Sequence, residues 1–125
     1  MSYELEKTIT FEAAHRLPHH DGKCSRLHGH SWKATIIVKG HTLRRGGAKD
    51  GMLMDYGEMK APLNELVEDY LDHHFLNDTL DLESPTSEQI ARWIYEQLAD
   101  RNVRGLYAVR VEETCTSKCT FCPSD

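Results

Sequence analysis

YELEKTITFEAAH, residues Tyr3 to His15, alternates apolar and polar side chains, and the architecture is built outward from it. Its odd positions run Tyr3, Leu5, Lys7, Ile9, Phe11, Ala13, His15, and its even positions Glu4, Glu6, Thr8, Thr10, Glu12, Ala14. Side chains two apart on an extended chain share a face, so, Lys7 aside, this is a strand with one face buried and one wet. A loop rich in Pro, His, Asp and Gly occupies Leu17 to about Leu27. The alternation then resumes, with His28, His30, Trp32, Ala34, Ile36 and Val38 on one face and Ser31, Lys33, Thr35 and Lys39 on the other. Consecutive strands usually neighbour each other, so these two are expected to pair antiparallel. That pairing brings the end of the first beside the start of the second.

Outward from this pair, His41 to Asp50 reads as an exposed connection containing Arg44, Arg45, Gly46 and Gly47. Asp55 followed by Glu58 is the pattern of a capping box opening a helix. Its apolar stripe is Met59, Leu63, Leu66, Val67, Tyr70 and Leu71, and Pro62 implies a kink or a later start. A second helix is expected from Thr86, with Gln89 in the box position and Ile90, Ile94 and Leu98 facing inward. Gly105 precedes a third strand, with Tyr107, Val109, Val111 and Glu113 on one face and Leu106, Ala108, Arg110 and Glu112 on the other. The tail from Thr114 adds a short fourth. The order strand–strand–helix–helix–strand–strand describes one α+β domain over residues 1–125, a four-stranded antiparallel sheet with two helices on one face.

The totals bound the function. The chain has 125 residues, 28% of them charged, and a formal net charge of −5. An acidic balance argues against nucleic acid as the main partner, because phosphate binding needs clustered Lys and Arg. No apolar run approaches a membrane span, and the first residues lack an apolar signal core, so the expectation is a cytoplasmic protein with no membrane partner. Four cysteines in that setting read as free thiols or metal ligands rather than a disulfide framework.

Five of the eight histidines fall between His15 and His30. His15 closes the first strand on its apolar face, and His28 and His30 open the second on its apolar face. Three neutral imidazoles converging at one corner suit zinc with a fourth position left open, as in catalytic sites. The alternative is three partly exposed histidines at a strand end. Gly29 between two of them suits a close backbone approach. His19 and His20 read as solvated loop residues.

Cys24, four residues before His28 and flanked by Lys23 and Arg26, is a candidate base or nucleophile if a cation lowers its pKa, and otherwise an inert loop thiol. Asp72 beside His73 can form a carboxylate–imidazole pair for proton transfer, or His73 can serve a helix C-terminus. Glu113, on an apolar face, needs a partner or a ligand donor. A pterin edge offers two donors that match a carboxylate, and an Arg partner is the alternative. Cys115, Cys119 and Cys122 have the spacing of an iron–sulfur motif but fall in the last eleven residues, where thiols of a final hairpin are the better reading.

Together these stretches resemble the 6-pyruvoyl-tetrahydropterin synthase family. The matching segments are residues 11–15 (FEAAH), 24–30 (CSRLHGH), 71–77 (LDHHFLN), 85–88 (PTSE) and 111–114 (VEET), in that order. The resemblance implies a tunnelling fold whose subunits join their sheets into a multi-subunit barrel, usually a homohexamer with active sites between subunits. It implies zinc on His15, His28 and His30, Cys24 as catalytic cysteine, Asp72 and His73 as a second proton-transfer pair, and Glu113 as pterin anchor. Three residues separate Cys24 from the His-Gly-His, as in the queuosine-pathway branch, the 6-carboxytetrahydropterin synthases. Those enzymes convert 7,8-dihydroneopterin triphosphate to 6-carboxytetrahydropterin, acetaldehyde and triphosphate. Lys23 and Arg26 are candidate triphosphate contacts on charge alone. A biopterin-type synthase that removes triphosphate but keeps the side chain, and a non-catalytic zinc- or pterin-binding module, remain open at this point.

Overall fold

Two long strands, β1 (Tyr3–His15) and β2 (His28–Gly40), pair antiparallel along their whole lengths in the computed structural model, which describes residues 1–124. The register sets His15 opposite His28 and Ala13 opposite His30. β2 continues to β4 (Leu106–Thr114), and β4 turns into β5 (Ser117–Phe121), all antiparallel. These are the four strands the alternation implies. A fifth, β3 (His74–Phe75), pairs parallel with Ala13 and Ala14 at the outer edge of β1, giving the order β3-β1-β2-β4-β5. A two-residue strand is too short to carry a period, which is why periodicity does not reveal it.

α1 (Tyr56–Leu66) starts at the expected capping box: Asp55 accepts from the Gly57 N–H, and Glu58 reaches back to the Asp55 N–H at 3.0 Å. The start is not delayed by Pro62, which lies within the helix, and a wider π-type segment, Val67–Leu71, follows it. Met59, Leu63, Leu66, Val67 and Leu71 are buried as the stripe requires, whereas Tyr70 is exposed and leans on the Trp93 ring. A single turn, α2 (Leu76–Thr79), leads on to α3 (Ser87–Asp100), where the Thr86 hydroxyl caps the Gln89 N–H and Ile90, Ala91, Ile94 and Leu98 are fully buried.

The core lies between these helices and one sheet face: Phe11, Trp32, Ala34, Ile36, Val38, Val109 and Val111 meet Met59, Leu63, Leu66, Leu71, Leu76, Ile90, Ile94 and Leu98. Two residues on β4 depart from the expected faces. A register shift between Ile37 and Val38 brings Val38 opposite Leu106, so Leu106 packs against the core and Tyr107 lies under the Lys39 ammonium. A β-bulge inserts one residue and thereby exchanges the faces beyond it. On the opposite sheet face Thr35, Ile37 and Ala108 are also buried, and the bidentate Glu6–Arg110 pair crosses that face at 3.0 Å. No described helix is long and apolar enough to cross a membrane.

Candidate metal centre and active site

His15, His28 and His30 come together because the register demands it. Their ring centroids stand 4.5, 4.9 and 5.3 Å apart, packed edge-on against one another, and Trp32 closes the floor under His15 and His30. His15 Nδ1 lies 2.8 Å from the Pro85 carbonyl and His28 Nδ1 lies 2.7 Å from the Arg26 carbonyl. A carbonyl accepts only, so each Nδ1 carries the proton and each neutral ring presents a bare Nε2 lone pair. All three Nε2 atoms, including that of His30, are buried without a hydrogen-bond partner. Burial, opposed by the Pro85 contact and reinforced by the neighbouring His28, holds the His15 pKa below its usual value, which favours the neutral ligand form. Buried polar atoms are nearly always partnered, so three orphaned lone pairs converging on one point fit a bound cation.

Glu113 joins them. One ligand atom from each of His15, His28, His30 and Glu113 lies within 4.8 Å of every other. Glu113 Oε1 is 2.8 Å from His30 Nε2 and 3.7 Å from His15 Nε2, but without the alignment a hydrogen bond requires. Gly29, between two of the histidines, is less demanding than expected, because a Cβ there would meet the Ala13 carbonyl at an ordinary 3.4 Å.

The remaining sequence-derived residues lie around this corner. Cys24, half-buried, sits in the 3₁₀ turn Lys23–Ser25, tied down by the Leu17 N–H to the Cys24 carbonyl at 2.7 Å. It is not part of the four-residue ligand set. Lys23 and Arg26 flank it, exposed. Asp72 and His73 do form a pair, His73 Nδ1 to Asp72 Oδ2 at 2.9 Å. The Glu12 N–H donates to Asp72 Oδ1 at 2.9 Å and the His73 N–H donates to the Glu12 carbonyl at 2.5 Å, so the edge of β1 holds both residues. The Glu12 N–H, followed by the His73 contact, keeps the Asp72 carboxyl below its ordinary pKa. His73 occupies φ 59°, a region uncommon for a non-glycine residue and recurrent at functional sites. Its ring is exposed beside a cleft of about 530 Å³ that Glu12, Ala13, Ala14, Gly29, His30 and Ser31 also line. His30 thus borders both this cleft and the imidazole cluster, whereas Asp72 and His73 are not part of the ligand set. His19 pairs with Glu83 and His20 accepts from the Gly22 N–H, both in the exposed loop.

Sequence reasoning missed the groups that orient the ligands. Two are the backbone carbonyls of Pro85 and Arg26, which no side-chain pattern advertises. A third is Asn77. Its Oδ1 accepts the Arg16 N–H at 3.0 Å, and its Nδ2 donates to the Arg16 carbonyl at 2.8 Å and the Glu83 carbonyl at 3.0 Å. The residue after His15 is thereby clamped to the segment that carries Pro85. Its one signal is position, at the end of LDHHFLN.

Residues 4–124 match the 6-pyruvoyl tetrahydropterin synthase family. The chain belongs to that family. It is 52% identical over 117 residues to the 6-carboxy-5,6,7,8-tetrahydropterin synthase of Synechocystis sp., covering 94% of this chain and 91% of that protein. It is 32% identical to the enzyme of the same name from Haemophilus influenzae, covering 95% and 98%. Among solved structures, Caenorhabditis elegans 6-pyruvoyl tetrahydropterin synthase superposes with a TM-score of 0.80 at 28% identity, covering 98% of this chain and 96% of that one. The α+β sheet-and-helix architecture is thus that of the tunnelling-fold members of the family.

Proposed function

We propose that this chain is a zinc-dependent 6-carboxytetrahydropterin synthase acting on 7,8-dihydroneopterin triphosphate in the cytoplasmic queuosine pathway, assembled as a homohexamer. The observation that carries the reading is the trio of imidazoles with buried, unpartnered Nε2 atoms, two of them tautomer-fixed, in a chain 52% identical to a protein of that name. His15, His28 and His30 hold the metal. A zinc ion there supplies Lewis acidity toward the side-chain hydroxyls of the substrate.

The chain's own residues handle the protons. Asp72, kept ionised by the Glu12 N–H, accepts from His73 Nδ1. That leaves His73 Nε2 as the nitrogen that takes and returns a proton. Cys24 Sγ is the second proton carrier, on the loop beside His28. Asp72 and His73 are not part of the ligand cluster of their own chain, and an arrangement in which a neighbouring copy supplies the pair accords with active sites between subunits. Glu113 receives the ring N–H and exocyclic amino group of the pterin.

The test is mass analysis of products from purified, zinc-loaded protein given dihydroneopterin triphosphate. A 6-carboxy product with acetaldehyde is expected. A 6-pyruvoyl product would overturn the branch, and no conversion would overturn the catalytic reading. Cys24→Ala is expected to lose turnover while retaining one zinc per chain, and full turnover in that variant would remove the thiol from the mechanism.

A further inference from the structure

Each of the three converging imidazoles has a second nitrogen, and two of them give it to the backbone. His15 Nδ1 meets the Pro85 carbonyl at 2.8 Å, and His28 Nδ1 meets the Arg26 carbonyl at 2.7 Å. His30 has no such anchor: among the described residues no hydrogen bond reaches its Nδ1. A ligand histidine is ordinarily oriented by a bond at its outer nitrogen, so something else holds this ring. Trp32 is placed to do so. It follows His30 by two residues on β2, and side chains two apart share a face. Its ring stands 5.2 Å from the His30 ring at 86° and 4.9 Å from the His15 ring at 85°. That is the edge-to-face arrangement aromatic pairs prefer. The indole is itself pinned. Its N–H donates to the carbonyl of Ala13, the residue opposite His30 in the register, at 3.1 Å. Phe11, its own register partner, lies parallel to it at 6.1 Å, and the whole side chain is buried. The other rings against His30, those of His15 and His28, are ligands themselves.

We propose that Trp32 is the positioning residue of His30: the anchored indole keeps His30 Nε2 turned toward the other two ligand nitrogens, in place of the carbonyl that serves His15 and His28. The inference rests on the metal reading given above. His15 needs the indole less, because Pro85 already fixes it. Strand β1 then contributes to the metal site twice, through His15 directly and through the Ala13 carbonyl that pins Trp32. A buried indole also fills the core, and the experiment separates the two roles.

That experiment is a double-mutant cycle on the full chain, read by Co²⁺ affinity from chelator competition and by the visible cobalt spectrum. Trp32→Leu removes the ring, whereas Trp32→Phe keeps an aromatic edge and loses the N–H anchor. Each is made in wild type and in His30→Ala. In wild type, Trp32→Leu is expected to weaken cobalt binding about tenfold and Trp32→Phe about threefold, both with an altered spectrum. In His30→Ala the same substitutions are expected to change affinity less than about twofold, because the ring they position is gone. Leu98→Ala, a buried change at the far end of α3 from Pro85, controls for lost stability alone and should leave cobalt affinity unchanged. Equal losses in both backgrounds would overturn the proposal, and so would unchanged affinity and spectrum for both Trp32 variants in wild type. Either result leaves the metal site standing. A loss in Leu98→Ala as large as in Trp32→Leu would also overturn it. Should Trp32→Leu fail to fold, the Trp32→Phe arm decides by itself. Wild type that binds no cobalt overturns the metal reading together with the proposal.

Discussion

Asn77→Ala removes three hydrogen bonds, to the Arg16 N–H, the Arg16 carbonyl and the Glu83 carbonyl. Each neutral bond contributes about 0.5–1.5 kcal/mol net. The clamp is solvent-accessible, so water replaces part of what is lost, and the expected cost is about 1.5 kcal/mol, roughly a 5 °C fall in unfolding midpoint. The more telling effect is on the metal. Arg16 follows His15 directly, and the Glu83 segment carries Pro85, whose carbonyl sets the His15 tautomer. Loosening that support is expected to lower zinc affinity about tenfold, as for other groups that orient a ligand. Urea unfolding of metal-free protein at fixed concentration gives the first number, and chelator competition gives the second. Asn77→Asp is the control: it keeps an acceptor for the Arg16 N–H but turns an anionic oxygen toward two carbonyls, so it should do no better than Ala. A stability loss with unchanged zinc affinity would refute the positioning argument and leave Asn77 a plain structural clamp.

Three further outcomes follow from particular contacts. Arg110 holds the Glu6 carboxyl below its usual 4.5, so the folded chain binds fewer protons than the unfolded one just below that pH. The resulting stabilisation is present above pH 4.5 and disappears as pH falls through the lowered value, so the urea-midpoint gap between wild type and Glu6→Gln should narrow from pH 6 to pH 3. Gly105→Ala combines a φ of +71° with a Cβ only 2.9 Å from the Lys39 carbonyl, and should cost about 2 kcal/mol in chemical unfolding. Stripping zinc with a chelator should lower the unfolding midpoint, and free zinc at a hundred times its Kd should restore about 2.7 kcal/mol in wild type but not in His28→Ala.

Four strands of the sheet and the convergence of the histidines were legible in the residue pattern alone. Period two along Tyr3–His15 and His28–Val38, with consecutive strands usually neighbours, brings His15 beside His28 once the two pair antiparallel. The capping box at Asp55 and the hydroxyl cap at Thr86 were legible for a similar reason, since both signals act within one helical turn. What local pattern could not hold was decided by the tertiary structure. β3 exists because Ala13 and Ala14 offer a free edge to a segment 61 residues away. The bulge that turns Leu106 inward arises from the pairing register between strands, and its own neighbours do not encode it, whereas period two already set Glu113 on the face of Val111. The carbonyls of Pro85 and Arg26 orient the rings from the backbone, where side-chain identity is silent. Residue types and their spacing state which groups can bind a metal or carry a proton. Which oxygen meets which nitrogen depends on contacts between distant segments, and those form only when the core closes.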